Sequence, residues 1–391
     1  MDLKFTPRQQ EVYDLADRLS RQAFEPRAAS YDAQGVLPLD DLRDLASHGL
    51  LHLAIGADVG GGDSGILGKQ PLLYLLALER AARASLATSH SLQVHSHAVH
   101  FIDQRATPEQ RKQLLRPIIA RNAMMTTLSS EPGRTAQGDM KKTTADRVDG
   151  GYIVNGIKNY ATLAGGSGFL LVLADAGTGA QTPGSRLALV IPTDAPGVRI
   201  ELSSWDPYGM RAAVSPVVEI TDHFVPASHV IGAPGLHLTE NWAVKADLGF
   251  ASQYAGASRG ILDALCKVAA RRGLGDNPYL MQHVGEAFAA IEAARLSIYA
   301  AAEVWRTGTE AAAEAASIAT KLQALHATRL VLDCTERYAG PSAFASTSPL
   351  TRMTRDLRFL LMREHPDAVA SSLGRLAFEK AVAPQALGIA A

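Results

Sequence analysis

Several groups of residues have types and spacings suited to chemistry. Glu364-His365-Pro366 lies shortly after Arg355-Asp356. A glutamate in an apolar pocket has its pKa raised from about 4.3 and works as a base. The neighbouring histidine titrates near neutrality and suits acid–base or hydrogen-bonding work. A plain helix end punctuated by Pro366 fits the same residues. Ser129-Ser130-Glu131-Pro132-Gly133, placed ahead of the first strand, offers hydroxyls and loop amides to a polar heterocycle or phosphate, or forms an ordinary turn. In Lys158-Asn159-Tyr160-Ala161-Thr162 an aromatic ring and a hydroxyl suit the face and edge of a flat ligand, and an amphipathic strand accounts for them too. Arg271, followed by Leu274, Gly275 and Gln282, suits a pyrophosphate at a helix end, or simply complements the helix dipole. His90, His95, His97 and His100 are clustered. His97 and His100 have an i,i+3 metal-ligand spacing, but no carboxylate or thiolate partner is evident, so packing or pocket lining is expected and no metal.

These groups need elements to position them, and the chain changes texture twice. From Thr6 to about Ala123 the pattern is helical, with an amphipathic run marked by Leu39, Leu42, Leu45, Leu50 and Leu51 and a second from Leu72 to Ala84. The glycine cluster Val59-Gly60-Gly61-Gly62-Asp63 predicts a loop after the first run. Short apolar or β-branched runs follow at Tyr152–Val154, Phe169–Leu173, Leu187–Ile191 and Val217–Ile220. Turn residues at Asp149-Gly150-Gly151, Asn155-Gly156, Ala176-Gly177 and Pro192 to Gly197 bound them, which predicts a small barrel or sandwich. Long alanine-rich helices are expected over Ala251–Arg272, Val284–Trp305 and Ala311–Tyr338, with a last helix near Arg355 after Pro349. The expected fold is mainly α with a central β domain. It comprises an N-terminal helical domain (1–123), a middle β domain (124–238) and a C-terminal four-helix bundle (239–391).

Composition excludes several classes. The 391 residues are 47% hydrophobic and 20% charged, enough apolar mass for more than one core. Lysine plus arginine number 38 against 39 aspartate plus glutamate, a balance that gives no general attraction to nucleic acid or an acidic membrane. Two cysteines, Cys266 and Cys334, cannot build a disulfide framework or a four-thiolate metal site. No secretory signal or spanning helix is evident, and a cytoplasmic protein with reduced thiols is expected.

Taken together, the motifs resemble the acyl-CoA dehydrogenase superfamily over essentially the whole chain. Gly49-Leu50 to Gly62 is similar to that family's Gly-Leu…Gly-Gly segment, and Ser130-Glu131-Pro132-Gly133 to its Thr-Glu-Pro-Gly flavin loop. Thr143-Ala145 through Gly151-Tyr152-Ile153-Val154-Asn155-Gly156-Ile157-Lys158 resembles its most recognisable strand pair. Val225-Pro226 through Val230-Ile231-Gly232 resembles the exit from its β domain, and Arg271-x-x-Leu274-Gly275…Gln282 its Arg-x-x-Phe-Gly…Gln.

The resemblance implies FAD, bound by Ser129 and Ser130 at the pyrimidine edge, Thr162 near flavin N5 and Tyr160 in place of a tryptophan beside the ring. Arg271, Leu274 and Gln282 would reach a flavin across a subunit interface, so a homodimer or homotetramer is implied. It also implies α,β-dehydrogenation of an acyl-CoA thioester, with electrons passed to an electron-transfer flavoprotein. Counted from Arg355-Asp356, the family's glutamate base falls on Glu364, while an alternative base position falls near Gly249. Departures are His365-Pro366 after the glutamate, Phe250 near the usual arginine, Tyr160 for tryptophan, and Arg134 to Asp139 for the Gly-Ser-Asp. Tyr-x-Thr and the C-terminal histidine resemble the flavin monooxygenases of the same fold. There a reductase-supplied flavin, FAD or FMN, reacts with dioxygen through a C4a-hydroperoxide, and His365 with His95 or His97 would face it. A third alternative is a degenerate flavin-binding protein without turnover. Under either enzyme reading, His95, His97 and Phe250 are the expected substrate-pocket residues.

Overall fold

The computed structural model describes residues 5–133, 140–177 and 185–382, and the expected departure at 134–139 falls outside them. The first helices are α1 (Pro7–Leu19), α2 (Glu25–Gln34), α3 (Leu39–Ser47), α4 (Leu72–Ala84), α5 (Leu86–Arg105) and α6 (Pro108–Ala120), with a π-helical turn, Ser20–Phe24, between α1 and α2. After the strands come α7 (Leu236–Thr239), α8 (Asp247–Arg271), α9 (Pro278–Thr307), α10 (Glu310–Tyr338), α11 (Pro349–Leu361) and α12 (Pro366–Val382). Their starts are written in local chemistry. Thr6, Thr107, Asn277 and Ser348 each cap a helix whose first residue is proline, a residue that gives up only an amide the first turn could not have bonded. Pro366 is of the same kind. It opens α12 rather than ending a helix, so α11 is not the last.

The sheet holds β1 (Met125–Leu128), β2 (Thr144–Val148), β3 (Gly151–Lys158), β4 (Phe169–Ala176), β5 (Arg186–Pro192), β6 (Val198–Glu201) and β7 (Val217–Pro226). Its order is β1-β4-β2-β3-β7-β6, with β5 antiparallel on β4's free side. Leu189 also bridges to Val230, which curls the sheet. Asp149-Gly150 makes a two-residue hairpin turn between Val148 and Gly151, as its sequence dictates. Asn155-Gly156 does not turn. The register shifts there within β3, and Gly156 lies so close to Thr143 that a Cβ would come within 2.4 Å of its hydroxyl. The serine loop at 129–133 follows a strand, β1, rather than preceding the first one.

Three cores result. The first joins α1–α5 to α8–α11, so helices on either side of the sheet in sequence share one interior. The second packs α5 and α6 on β4 and β5 through Phe101, Leu115, Leu171, Val190 and Trp242. The third fills the sheet's other face with Leu128, Leu170, Val172, Leu189 and Ile191. The apolar runs of β4 and β5 are continuous because both of their faces are covered. No helix of the described residues is long and apolar enough to cross a membrane.

Candidate active site

The serine loop and the end of β3 form one wall. Ser130 carbonyl accepts the Asn159 amide at 3.1 Å, which sets the loop beside Tyr160 and Thr162. Beneath them is a fully buried ion pair. Glu131 accepts Lys158 Nζ at 2.8 Å and the amides of Lys142 and Thr143 at 2.7 and 3.1 Å, and Lys158 also donates to the Leu173 carbonyl at 2.5 Å. Burial would raise the Glu131 carboxyl, but Lys158 and the two amides override it and hold it at about 2. Burial draws the Lys158 ammonium down to about 8 against the pull of Glu131, so both are charged at neutral pH. Both residues stood inside the sequence motifs, yet their pairing across 27 positions left no local signal.

Thr162 is buried, its hydroxyl 2.8 Å from that of Ser215. Four non-glycine residues around this pair have positive φ: Tyr160 (50°), Leu163 (71°), Met210 (56°) and Val214 (36°). A β-branched residue there is strained, and strain of this kind clusters where a site fixes the backbone. Tyr160 is 63% exposed and meets Trp205 edge-on at 6.4 Å. Thr127 Oγ1 on β1 and Asn159 Oδ1 on the wall are buried without a hydrogen-bond partner. Orphaned oxygens near an exposed aromatic and a buried hydroxyl suit the polar edge of a flat heterocycle, so the residues present fit a flavin.

The wall is coupled to the opposite side through α11. Trp205 meets Phe359 edge-on at 5.9 Å, Asp356 accepts the Met210 amide at 2.7 Å, and Arg355 pairs with Asp32 of α2. Arg355-Asp356 is therefore the clamp that sets where α11 ends and Glu364 follows. The Glu364 side chain is 6% exposed. Its carboxylate accepts the Tyr254 hydroxyl at 2.7 Å and lies 3.4 Å from Lys321 Nζ, which also pairs with Asp247 at 2.7 Å. Burial and the adjacent carboxylate push the Tyr254 phenol well above its ordinary range, so it stays a donor. Phe250 stacks near Tyr254 at 6.4 Å and carries the Arg363 guanidinium over its ring at 3.8 Å. A guanidinium from position 363 thus lies over the phenylalanine at position 250. A Cβ at Gly249 would come within 2.0 Å of Gln93 Oε1, so the Gln93 amide fills the space of any side chain there.

The other expected residues lie elsewhere. His365 is exposed beside α12. His95 is in the core: Met125 amide donates to its Nδ1 at 3.1 Å, which leaves Nε2 to donate to His52 at 3.3 Å. His97 meets Trp242 and His237 edge-on behind the site. Arg271 ends α8 on the surface, Leu274 is half-buried, and Gln282 bonds Glu286 on α9. No hydrogen bond, ion pair or ring contact among the described residues links these three to Ser130, Tyr160 or Thr162.

Burial holds the neutral form of five α5-associated histidines: His52, His90 and His100 fall to about 4, His97 to about 3 and His95 well below its usual value. The unfolded chain protonates near 6.5 and the fold does not, so their contribution is intact above that pH and is lost as pH falls. At roughly 1.4 kcal/mol per group per pH unit, urea unfolding at pH 7, 6 and 5 is expected to show a steep loss below 6.5. Equal stabilities at pH 7 and 5 would contradict it.

Comparison with known proteins places this geometry in a class. The chain matches the acyl-CoA dehydrogenase N-terminal domain over residues 6–122, the middle domain over 126–222 and the C-terminal domain over 248–365. It belongs to the acyl-CoA dehydrogenase superfamily. Among particular relatives, benzylmalonyl-CoA dehydrogenase of Aromatoleum aromaticum is 25% identical, covering 93% of this chain and 95% of its own. Dibenzothiophene monooxygenase of Mycolicibacterium goodii is 29% identical over 64% of this chain and 60% of its own. The fold is shared with butyryl-CoA dehydrogenase from Megasphaera elsdenii, with a TM-score of 0.86 at 20% identity over 97% and 100% of the two chains. It is also shared with FMN-bound TdsC from Paenibacillus sp. A11-2, with a TM-score of 0.82 at 22% identity over 95% and 98% of the two chains.

Proposed function

We propose that this chain is an FAD-dependent oxidoreductase that dehydrogenates the α and β carbons of an acyl-CoA thioester, with Glu364 taking the α-proton. The carrying observation is the buried Glu364 carboxylate, held by Tyr254 and Lys321 and facing helix α8 rather than water. A base must be aimed, and these two contacts fix where the carboxylate sits. Ser129, Ser130, Tyr160 and Thr162 would hold the flavin, with the orphaned Thr127 and Asn159 oxygens at its polar edge. The flavin, when bound, supplies a two-electron acceptor for the β-hydride. Phe250 and Tyr254 exclude water from the carboxylate, and once Glu364 is protonated, Lys321 keeps its partner in Asp247. Arg271, Leu274 and Gln282 serve a second copy's flavin in this reading. The exposed apolar residues Tyr279, Met281 and Phe288 on α9 beside them support an oligomer. Electrons would leave to an electron-transfer flavoprotein.

A second reading, a monooxygenase supplied with reduced flavin, is favoured by the likeness to dibenzothiophene monooxygenase. Against it, His365 is exposed and His95 has both ring nitrogens engaged. Anaerobic titration of the flavin-loaded protein with short, branched, aromatic and long acyl-CoA thioesters separates the two. Bleaching of the visible flavin band is expected. An unchanged band with every thioester, together with oxygen-dependent product from externally reduced flavin, would favour the second reading instead.

A further inference from the structure

Arg363, the residue before the proposed base, has donors that the fold does not use. Its guanidinium lies over the Phe250 ring, 3.8 Å from the centroid. Among the described residues its ion-pair contact is Glu364 Oε1, 4.0 Å from Nε and beyond hydrogen-bond reach. Its side chain donates no hydrogen bond to any described residue, so the planar fork of five N–H groups is unspent. The neighbouring cations are all engaged. Arg352 donates to the Ala84 carbonyl at 3.0 Å, and Arg355 pairs with Asp32. Lys321 serves Asp247 at 2.7 Å and Glu364 at 3.4 Å. His90, whose ring is 6.0 Å from that of Phe250, is held neutral: burial and the Arg363 charge draw it down to about 4.

Exposure orders these groups. The side chain of Glu364 is 6% exposed and Phe250 is buried, whereas the Arg363 side chain is 48% exposed. The guanidinium is therefore the outer layer over the ring, and a group arriving from solvent over Phe250 meets it before the base. Stacking on the ring restrains a long side chain in advance, which lowers the cost of fixing it when a ligand binds. The formal charges also leave a place for an anion. Asp247 and Glu364 cancel Lys321 and Arg363, so a proton taken onto Glu364 leaves one positive charge unbalanced.

Resting on the dehydrogenase reading, we infer that the substrate is an acyl thioester whose acyl chain carries a carboxylate, and that the Arg363 fork receives it and sets this specificity. Two parallel N–H···O bonds match a carboxylate to a guanidinium edge. A plain alkyl chain leaves the fork without a partner, and a neutral hydroxyl balances no charge. A phosphate of the CoA part offers the same anionic oxygens, but it is common to every thioester and the test separates the two.

The test is calorimetric binding to the flavin-loaded protein of succinyl-CoA and glutaryl-CoA, each against its methyl-ended counterpart, butyryl-CoA or pentanoyl-CoA, with free CoA as the control. At least one carboxylated thioester is expected to bind about tenfold more tightly than its counterpart, the margin of a hydrogen-bonded charge partly open to water. Arg363→Met is expected to abolish that margin. Arg363→Lys, which keeps the charge and loses the fork, is expected to retain part of it and keeps the test alive if Arg363→Met does not fold. No margin for either pair in the wild type, or a margin that survives in Arg363→Met, would overturn the inference. So would an equal loss of affinity in Arg363→Met for free CoA and every thioester, which would assign the guanidinium to a phosphate. In each of these cases bleaching of the flavin band by butyryl-CoA or pentanoyl-CoA leaves the dehydrogenase reading standing. Binding of no thioester would overturn both.

Discussion

A Glu364→Gln chain, loaded with flavin and mixed anaerobically with a thioester that bleaches the wild type, is expected to bleach some 10²- to 10⁴-fold more slowly. That is the usual contribution of a positioned general base. The substitution keeps the shape and can still accept from the Tyr254 hydroxyl, 2.7 Å away, so packing and flavin content should hold. Thioester affinity should change little, which separates loss of the base from loss of the pocket. The two rates agreeing within about threefold, with equal flavin content, would remove Glu364 from the chemistry.

The second large effect lies beneath the flavin wall. Lys158→Met leaves the Glu131 carboxylate buried without its cation, and removing one member of a buried pair costs about 3–5 kcal/mol. Glu131 also fixes the amides of Lys142 and Thr143, and Ser130 immediately precedes it in the loop, so the wall should loosen with it. The expected result in denaturant unfolding is a loss of that size, accompanied by less flavin per chain. The double variant Glu131→Gln, Lys158→Met should recover part of the stability, because no charge is left buried and the amide oxygen still accepts one of the two backbone N–H groups. A loss under about 1 kcal/mol for Lys158→Met, on the scale of an exposed pair, would mean that water reaches the site.

Much of the architecture was legible in residue pattern. The run Leu72–Ala84 is α4 residue for residue, and Gly340-Pro341 follows α10 at Tyr338. Such signals are local: helical period, caps and turn glycines act within a few residues. What could not be read was long-range. The shared core of α4 and α8, the Glu131–Lys158 pair, and the coupling of Tyr160 through Trp205 and Phe359 to α11 join positions far apart in sequence. Strands β1 and β6 were missed because four residues each are too few to show a period. Asn155-Gly156 has the residues of a turn, and only the approach of Thr143 makes it a bulge. In the candidate site, Glu364 was reachable by its distance from Arg355-Asp356, whereas Tyr254, Lys321 and Arg363 sit at positions with no motif of their own. The histidines show the reverse case. Their clustering on α5 was visible, but burial, which sequence does not show, makes His95 a fastener between α5 and β1.

The central claim is that Glu364 takes a proton from the carbon next to the thioester carbonyl. Its most direct test is rapid anaerobic mixing of the flavin-loaded protein with an acyl-CoA and with its α,α-dideuterated form, following the visible flavin band. If the claim holds, both bleach the band and the deuterated thioester does so markedly more slowly in wild type. Bleaching at identical rates would place the rate-setting bond elsewhere, and no bleaching by any thioester would contradict the account.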